Sequence, residues 1–527
     1  MRTIKYVGII YCLALLFACA QVVAPTGGLK DITPPEILSL VPENQSLSFN
    51  SNSFTLEFDE YVVLKDLKEQ LIVSPPLKYS LQSRTKGKKL LFTIKDTLKE
   101  NTTYVFNFGN SIVDLNEGNS LTNFQYVFST GTVIDSLSFS GKVVDAFNLT
   151  AEEEAVLLLY PSSSEDSAVS KQLPSFVSRT NDEGDFTFTN LAKGEYKLFS
   201  LVDKNDNYIY DRPDEKIGFL MNYINPEDDS SKIKLFSFVL TDKKQFIEKQ
   251  EVFENHLEIT FKSKPVDVEC NLIDTIINNF IEHVEYEGNI VRIWHQSATS
   301  AKLKLSLALP NFTDTIKFTP RALQDSAKLK LIADLNGKQN FFEPISMIFN
   351  RPLKGIKKEF VKISDADSNV IDFSIDFDTS NIKRALLKIN NAPEGNIIVQ
   401  ILPGAFEDLY GIKNDSISGA LYFNTAEDFG NLMVKVKDMN AKNLIVQLTD
   451  AKGKVLKEYF TKDSLYTFKN LAPANYGLKL IADDNKNRKW DTGNYYEKRQ
   501  AERVIIYNEA IGIRQNWDKE IIWIIKQ

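Results

Sequence analysis

FTFTNLAKGEYKLFSLVDKNDNYIYD runs from Phe186 to Asp211, and YTFKNLAPANYGLKLIADDNKNRKWD runs from Tyr466 to Asp491. The two stretches align without a gap at an offset of 280 residues. They share Asn190/Asn470, Leu191/Leu471, Ala192/Ala472, Tyr196/Tyr476 and Leu198/Leu478, then Asp203/Asp483, Asn205/Asn485, Asn207/Asn487 and Asp211/Asp491. A repeat of this kind sets the domain plan, because one folding unit is used twice. Within each copy apolar residues alternate with polar ones, a period of two that predicts strands. Asp182, Glu183 and Gly184 supply a turn before the first copy, and Gly194 allows a tight bend between its strands.

The same alternation extends through the chain. Phe54, Leu56 and Phe58 alternate with Thr55 and Glu57, as do Leu90, Phe92 and Ile94, then Tyr104, Phe106 and Phe108, then Phe124, Tyr126 and Phe128. Turn residues separate these runs, so residues 36–135 read as an antiparallel sandwich of about seven strands. At 527 residues the chain exceeds one core, and about three to five domains are expected. The fold class is all-β: tandem β-sandwich domains with a β-rich spacer.

Three families of protein are similar to parts of this chain. PTGGLKDITPPEI (Pro25–Ile37), FDEYVVL, VSPPL, NTTYVFNFGNSIVDLNEGN (Asn101–Asn119) and FSTG occur in order. They resemble the SbsA-type Ig-like domain of Bacteroidetes lipoproteins, which implies an Ig-like sandwich on a lipid anchor and no activity. The phrase from Asp182 to Leu198 resembles the transthyretin-like fold of carboxypeptidase regulatory-like domains, a small β-sandwich. Leu16-Phe17-Ala18-Cys19, after Arg2, Lys5 and the apolar run Val7–Phe17, resembles a bacterial lipobox, although Phe17 is bulky for its place. That resemblance implies cleavage before Cys19 and diacylation of its thiol, with the acyl chains as the membrane anchor. An ordinary signal peptide with an incidental cysteine is the other reading.

The domain plan follows: residues 1–18 a lipoprotein signal peptide, 19–35 a Pro/Gly tether, 36–135 an Ig-like domain and 136–242 a transthyretin-like domain. Residues 243–335 are a β-rich spacer, 336–427 a second Ig-like domain and 428–527 a second transthyretin-like domain. The second Ig-like reading rests on Val399–Thr425, which parallels Phe106–Thr130 and puts Asp408 where Asp114 stands. In the spacer, Leu303, Leu305, Leu307 and Leu309 mark a strand, while Asn271–Val284 reads as either a short helix or a pair of strands.

Composition narrows the function. Lys and Arg number 62 against 70 Asp and Glu, a net charge of −8 spread along the chain. Nucleic acid is excluded as a partner, since phosphate binding needs a concentrated basic face. The one basic run, Arg84–Lys89, reads as a hairpin turn. Of three cysteines, Cys12 lies in the leader and Cys19 at its end, so Cys270 has no body partner for a disulfide and reads as a core residue. His256, His283 and His295 lack metal-ligand spacing, and no G-x-S-x-G, P-loop or G-x-G-x-x-G occurs. Neighbouring carboxylates such as Asp59/Glu60 face opposite sides of a strand and make no acid/base pair. The expectation is a protein that is not an enzyme, with a catalytic site hidden in 243–335 as the weakest alternative.

The acidic loops are the candidate sites. Asp203, Asn205, Asn207, Asp211 and Asp214 hold positions 1, 3, 5, 9 and 12 of a twelve-residue window, and Ile209 offers a carbonyl at 7. Calcium takes six to eight oxygens, and this spacing resembles an EF-hand loop. Tyr208 replaces Gly at position 6, and position 12 is Asp instead of Glu. The second copy keeps Asp483, Asn485, Asn487 and Asp491, with Arg488 at position 6. The competing account is that Asp and Asn cap their own turns. No cofactor is required on either account.

The expected role is a lipid-anchored scaffold at the outer membrane, on a leaflet the sequence leaves open, with another envelope protein as partner. A glycan-binding surface lipoprotein is the alternative, with Trp294, Trp490, Trp517 and Trp523 as candidate platform rings.

Overall fold

The structure, a computed structural model, describes residues 30–228, 233–240, 245–273, 280–295, 302–310, 312–321, 326–390, 395–437, 443–461 and 464–525. The leader and Cys19 lie outside them. Strands dominate: the only α-helix among the described residues is the single turn Leu67–Gln70. The chain divides into two compact units, Met1–Val239 with Tyr495–Lys498, and Leu240–Asn494 with Arg499–Gln527.

The first unit opens with a sandwich. One sheet has the order Ile37–Val41, Ser53–Phe58, Lys89–Thr93, Gln82–Lys86; the other has Ile72–Ser74, Thr103–Asn107, Gln125–Ser129. A short ladder joins Val62–Leu64 to Ile112–Asp114. The alternating aromatics point inward together. Phe54 lies 5.0 Å from Phe92 and 4.4 Å from Tyr126 between ring centroids, and all three are buried. Each such ring contributes about 1.5–3 kcal/mol through removal from water. Arg84–Lys89 forms the expected hairpin, with Lys86 opposite Lys89 and Gly87 at φ 61°. Strand Gln82–Lys86 is exposed throughout, a charged edge of the kind that resists pairing with other chains.

A seven-stranded sheet follows in the order Phe176–Arg179, Val156–Pro161, Tyr196–Val202, Lys216–Phe219, Ile233–Val239, Leu137–Asp145, Asp185–Leu191. It curls nearly into a barrel, and Ser178 Oγ donates to the Thr187 carbonyl across its two ends at 2.6 Å. Repeat residues Phe186, Phe188, Leu191, Tyr196 and Leu198 form the core. Asn190 sits in the left-handed region at φ 55°, as Asn470 does in the other copy. Asparagine tolerates that conformation better than most side chains, which accounts for its recurrence. Tyr196 donates its hydroxyl to the Ala192 carbonyl at 3.0 Å, and Tyr476 repeats the bond to Ala472 at 2.7 Å.

The second unit begins with a further sandwich. Its sheets are Ile247–Phe253, His256–Phe261, Ile290–His295, Ile281–Glu287 and Glu269–Leu272, Leu303–Leu309, Phe312–Phe318. Leu303, Leu305 and Leu307 are buried between them. Of the ambiguous stretch Asn271–Val284, the described parts belong to the strands Glu269–Leu272 and Ile281–Glu287.

Residues 337–424 repeat the topology of the first sandwich. Ile345–Ile348, Arg384–Ile389, Phe373–Phe377 match the order of Ser53–Phe58, Lys89–Thr93, Gln82–Lys86. Ile417–Asn424, Gly395–Ile401, Val361–Asp365 match Gln125–Ser129, Thr103–Asn107, Ile72–Ser74. The ladder Leu353–Ile356 with Phe406–Asp408 matches the first ladder. Even the parallel pairing of Gly337–Asn340 has a counterpart, the parallel bridge from Ser46 to Phe128.

Residues 430–524 repeat the curled sheet. Val455–Thr461, Leu444–Asp450, Ala474–Ala482, Val504–Ile506 form one side and Leu465–Leu471, Gly430–Lys437, Asp518–Ile524 the other. The parallel pair at the centre recurs, Leu137–Asp145 with Ile233–Val239 and Gly430–Lys437 with Asp518–Ile524. One joint differs. Lys216–Phe219 pairs with Ile233–Val239 in the first copy, whereas no such ladder joins Val504–Ile506 to Asp518–Ile524 among the described residues of the second.

Candidate functional site: the acidic loops

Asp203 leaves the end of strand Tyr196–Val202 and caps the turn that follows. Its Oδ1 accepts from the Asn205 backbone N–H at 3.1 Å and its Oδ2 from that of Tyr208 at 2.7 Å. Asn207 Oδ1 accepts from the Ile209 N–H at 2.8 Å. The amides of Asn205 and Asn207 both donate to Asp211, to Oδ1 at 3.2 Å and Oδ2 at 2.8 Å. Four of the five predicted positions therefore converge. Asp214 does not: it pairs with Arg212 at 3.0 Å, which holds its carboxyl below the usual range.

The carboxylate that completes the loop is Glu215, which is 0% exposed. Its Oε1 accepts from the Lys204 N–H at 3.1 Å, and its Oε2 from Asp211 at 3.2 Å and Arg212 at 3.1 Å. A carboxylate buried this deeply needs several donors, and backbone N–H groups supply them without a side-chain cation.

The second loop reproduces the arrangement. Asp483 accepts from Asn487 and Arg488 N–H, both at 3.1 Å, and Asn487 Oδ1 from Lys489 at 2.8 Å. Asn487 donates to Asp491 at 2.7 Å, and Asn485 donates to the same oxygen. Glu502 takes the place of Glu215, accepting from Asp484 at 3.0 Å and Asp491 at 2.9 Å. Burial pushes the Glu502 carboxyl up, the two backbone N–H groups oppose this, and the Asp491 and Asp483 charges add to the rise.

The window overlooked both glutamates. Glu215 falls one residue beyond it, next to the more familiar-looking Asp214. Glu502 lies 19 residues after Asp483, because extra residues intervene in the second copy. The usable signal was an acidic residue just before the returning strand, Lys216–Phe219 or Val504–Ile506. Both loops also place positions 4 and 6 in the left-handed region: Asp206 and Tyr208 at φ 56° and 60°, Lys486 and Arg488 at 64° and 62°. Position 6 thus keeps a left-handed backbone without glycine, at a cost of about 1–2 kcal/mol per residue that the side-chain caps offset.

As they stand, the side-chain oxygens of both loops accept from the loops' own N–H groups. Among the described residues no group of three or more His, Cys, Asp or Glu is placed to hold a metal ion. The paired positions Asp114 and Asp408 are likewise turn caps. Asp114 accepts four backbone N–H groups, from Asn116, Glu117, Gly118 and Asn119. Asp408 accepts from Tyr410 and Ile412.

The remaining candidates lie in packed surroundings. His256 stacks between Phe253 and Trp294, and His295 stacks on Phe280. Burial holds His256 and His283 below the usual imidazole range. Cys270 packs against the core of its sandwich, where burial pushes the thiol up to about 12. Trp294 and Trp523 are buried and Trp490 is half-buried, so of the four tryptophans only Trp517 is exposed.

Residues 31–130 match the family of bacterial Ig-like domains. No curated protein matches the chain. Among solved structures, the S-layer protein rSbsC is similar at 10% identity over 87% of this chain and 68% of its own, with a TM-score of 0.16. The major pilin subunit BcpA of Bacillus cereus is similar at 9% identity over 74% of this chain and 99% of its own, with a TM-score of 0.14. The I9–I11 tandem of titin is similar at 12% identity over 55% and 93%, also at 0.14. Scores this low carry no argument about function. The chain is an almost wholly β-stranded protein of several sandwich-like units, with an Ig-like domain near its start and no catalytic motif.

Proposed function

We propose that this chain is a lipid-anchored, non-enzymatic scaffold of a Gram-negative cell envelope. It is tethered through a diacylated Cys19 to the outer membrane and pairs with another envelope protein, such as an assembly or transport machine. The observation that carries the reading is repetition without chemistry: two sandwich topologies each recur, and their acidic loops are closed by their own donors. A chain of repeated sandwiches presents edges and loops to partners. On this reading the curled sheets of 136–242 and 428–527 are transthyretin-like, and 336–427 is a second Ig-like domain.

The glycan-binding alternative needs a row of exposed rings, and Trp517 alone among the tryptophans is exposed. The test is crosslinking in intact cells with identification of the neighbours, alongside surface protease accessibility to assign the leaflet. Recovery of one stable envelope partner supports the scaffold; recovery of none sinks it. Labelled palmitate entering the wild type and not Cys19→Ala tests the anchor separately.

A further inference from the structure

The two curled sheets end in equivalent edge strands that differ in what covers them. In the first copy the edge strand is Phe176–Arg179, which pairs with Val156–Leu159 on one side. Its other side lies against strand Ile72–Ser74 of the Ig-like sandwich. The Val177 N–H donates to Ser74 Oγ at 3.1 Å, and the Arg179 guanidinium donates to the Glu69 carbonyl. In the second copy the equivalent strand is Val455–Thr461, paired with Leu444–Thr449. The equivalence is fixed by register and by a shared bond: Tyr459 donates its hydroxyl to the Thr467 carbonyl at 3.1 Å, as Ser178 does to Thr187. On the far side of Val455–Thr461 no described strand forms a backbone ladder: Leu465–Leu471 is reached only by side chains, Tyr459 to the Thr467 carbonyl and Lys457 to the Lys469 carbonyl at 2.7 Å.

That open edge is also apolar. Leu456 is 47% exposed, Phe460 42% and Val455 40%. Natural edges are usually short, charged or covered, because a long apolar edge invites another strand. Gln82–Lys86 shows that protection elsewhere in this chain. Val455–Thr461 instead exposes Leu456 and Phe460 on either side of Lys457 and Glu458, with further cations beyond both ends, and Lys457 is held by the Lys469 carbonyl at 2.7 Å. Lys452 and Lys454 are exposed in the hairpin before it. Beyond its other end the Arg488 guanidinium sits 5.6 Å from the Phe460 ring. The carboxylate on the strand, Glu458, is engaged by the Gln447 amide at 2.5 Å.

We propose that the outer edge of Val455–Thr461 is a strand-addition site for an extended segment of a partner protein with an apolar centre flanked by carboxylates. Main-chain hydrogen bonds would supply affinity, and alternate side chains would meet Leu456 and Phe460. The flanking carboxylates would meet Lys452, Lys454 and Arg488. This deepens the scaffold reading by giving it a contact surface. Failure of the edge alone leaves any crosslinked neighbour standing, so the two ideas fail separately.

The test uses the full chain and a short labelled peptide with a central run of Val flanked by Glu, against its counterpart with Lys for Glu. Fluorescence anisotropy is expected to show salt-sensitive binding of the acidic peptide and none of the basic one. Leu456→Asp with Phe460→Asp is expected to weaken binding at least about tenfold. Lys454→Glu with Arg488→Glu is expected to reverse the charge preference, a readout that does not depend on whether the aspartate pair disturbs the strand. Absence of binding, equal binding of both peptides, or indifference to both variants overturns the proposal. So does self-association, or binding to phosphatidylglycerol vesicles, that the aspartate pair abolishes, since either result assigns the edge to another occupant.

Discussion

Arg351 Nε donates to Asp408 Oδ2 at 2.6 Å, with both side chains buried, on the ladder where Asp114 stands without a cation in the first sandwich. The same aspartate therefore has two solutions. Asp114 is satisfied by four backbone N–H groups, while Asp408 has two and relies on the guanidinium for its second oxygen. Removing one partner of a buried pair strands the other charge and costs about 3–5 kcal/mol. Asp408→Ala should thus expose the 406–414 backbone to hydrogen exchange. Arg351→Met, which leaves the aspartate its two N–H donors, should cost less. Equal loss of protection in the two variants would show that the two N–H caps add nothing beyond the ion pair.

Opposite pH signatures are expected from the two curled sheets. Glu502 has a folded-state value above its unfolded one, so its folded form holds the proton more tightly. Stability then falls as pH rises from the unfolded carboxylate value through the folded one, and acidification relieves the strain. Asp145 runs the other way. Burial pushes it up, but the Lys216 ammonium at 2.8 Å and the Asn148 and Phe147 N–H groups outweigh this and lower it. Its contribution is present above the unfolded value and is lost as pH falls through the folded one. Exchange rates of the Asp484 and Asp491 amides against pH should flatten in Glu502→Gln, while Asp145→Asn should flatten the acid limb of the first sheet alone.

Gly141 marks a place where the copies packed differently. A Cβ there would meet the Ile233 carbonyl at 2.4 Å and the Phe186 ring at 2.7 Å. The second copy carries Val434 at the same register, opposite Tyr466 and Ile521. Phe186 fills in the first copy the space that a side chain fills in the second. Gly141→Ala should cost about 1–3 kcal/mol through overpacking, seen in calorimetry as a lower unfolding transition for the sheet that carries it. Adding Phe186→Leu should recover part of the loss, and no recovery would place the strain in the backbone.

Strands were legible wherever one face is buried, because the pleat then enforces alternation. Phe54, Phe92 and Phe106 announced their strands, and the phrase around Asp408 read as the counterpart of that around Asp114. The spacer was harder to read: its strand Glu269–Leu272 alternates exposed with half-buried positions over only four residues, too short a run to tell strand from helix. The acidic loops were legible through local hydrogen bonds at fixed offsets, as with Asp203 and Asn207. Glu215 and Glu502 were not, since each caps donors contributed by a distant turn of the loop and the spacing differs between copies. Whether Val455–Thr461 would be covered was equally invisible, because coverage depends on a neighbouring domain and not on the strand.

The loops leave one question that calorimetry decides. Asp211 accepts two asparagine amides, and Asp203 accepts two backbone N–H groups. A calcium ion would have to recruit these oxygens, and the asparagine carbonyls, in place of the amide contacts. The calcium account therefore predicts a higher melting temperature with calcium present, by RT ln(1 + [L]/Kd) in stability. It also predicts that Asp203→Ala with Asp211→Ala abolishes the rise. The capping account predicts instead that the double variant lowers the transition by the same amount with and without calcium, at about 0.5–1.5 kcal/mol per lost hydrogen bond. Magnesium at equal concentration separates a specific site from general screening, since the smaller ion dehydrates reluctantly and seldom takes an all-protein cage. A rise with calcium, absent with magnesium and absent in the double variant, would make the loops metal sites; an unchanged wild type would leave them as turns.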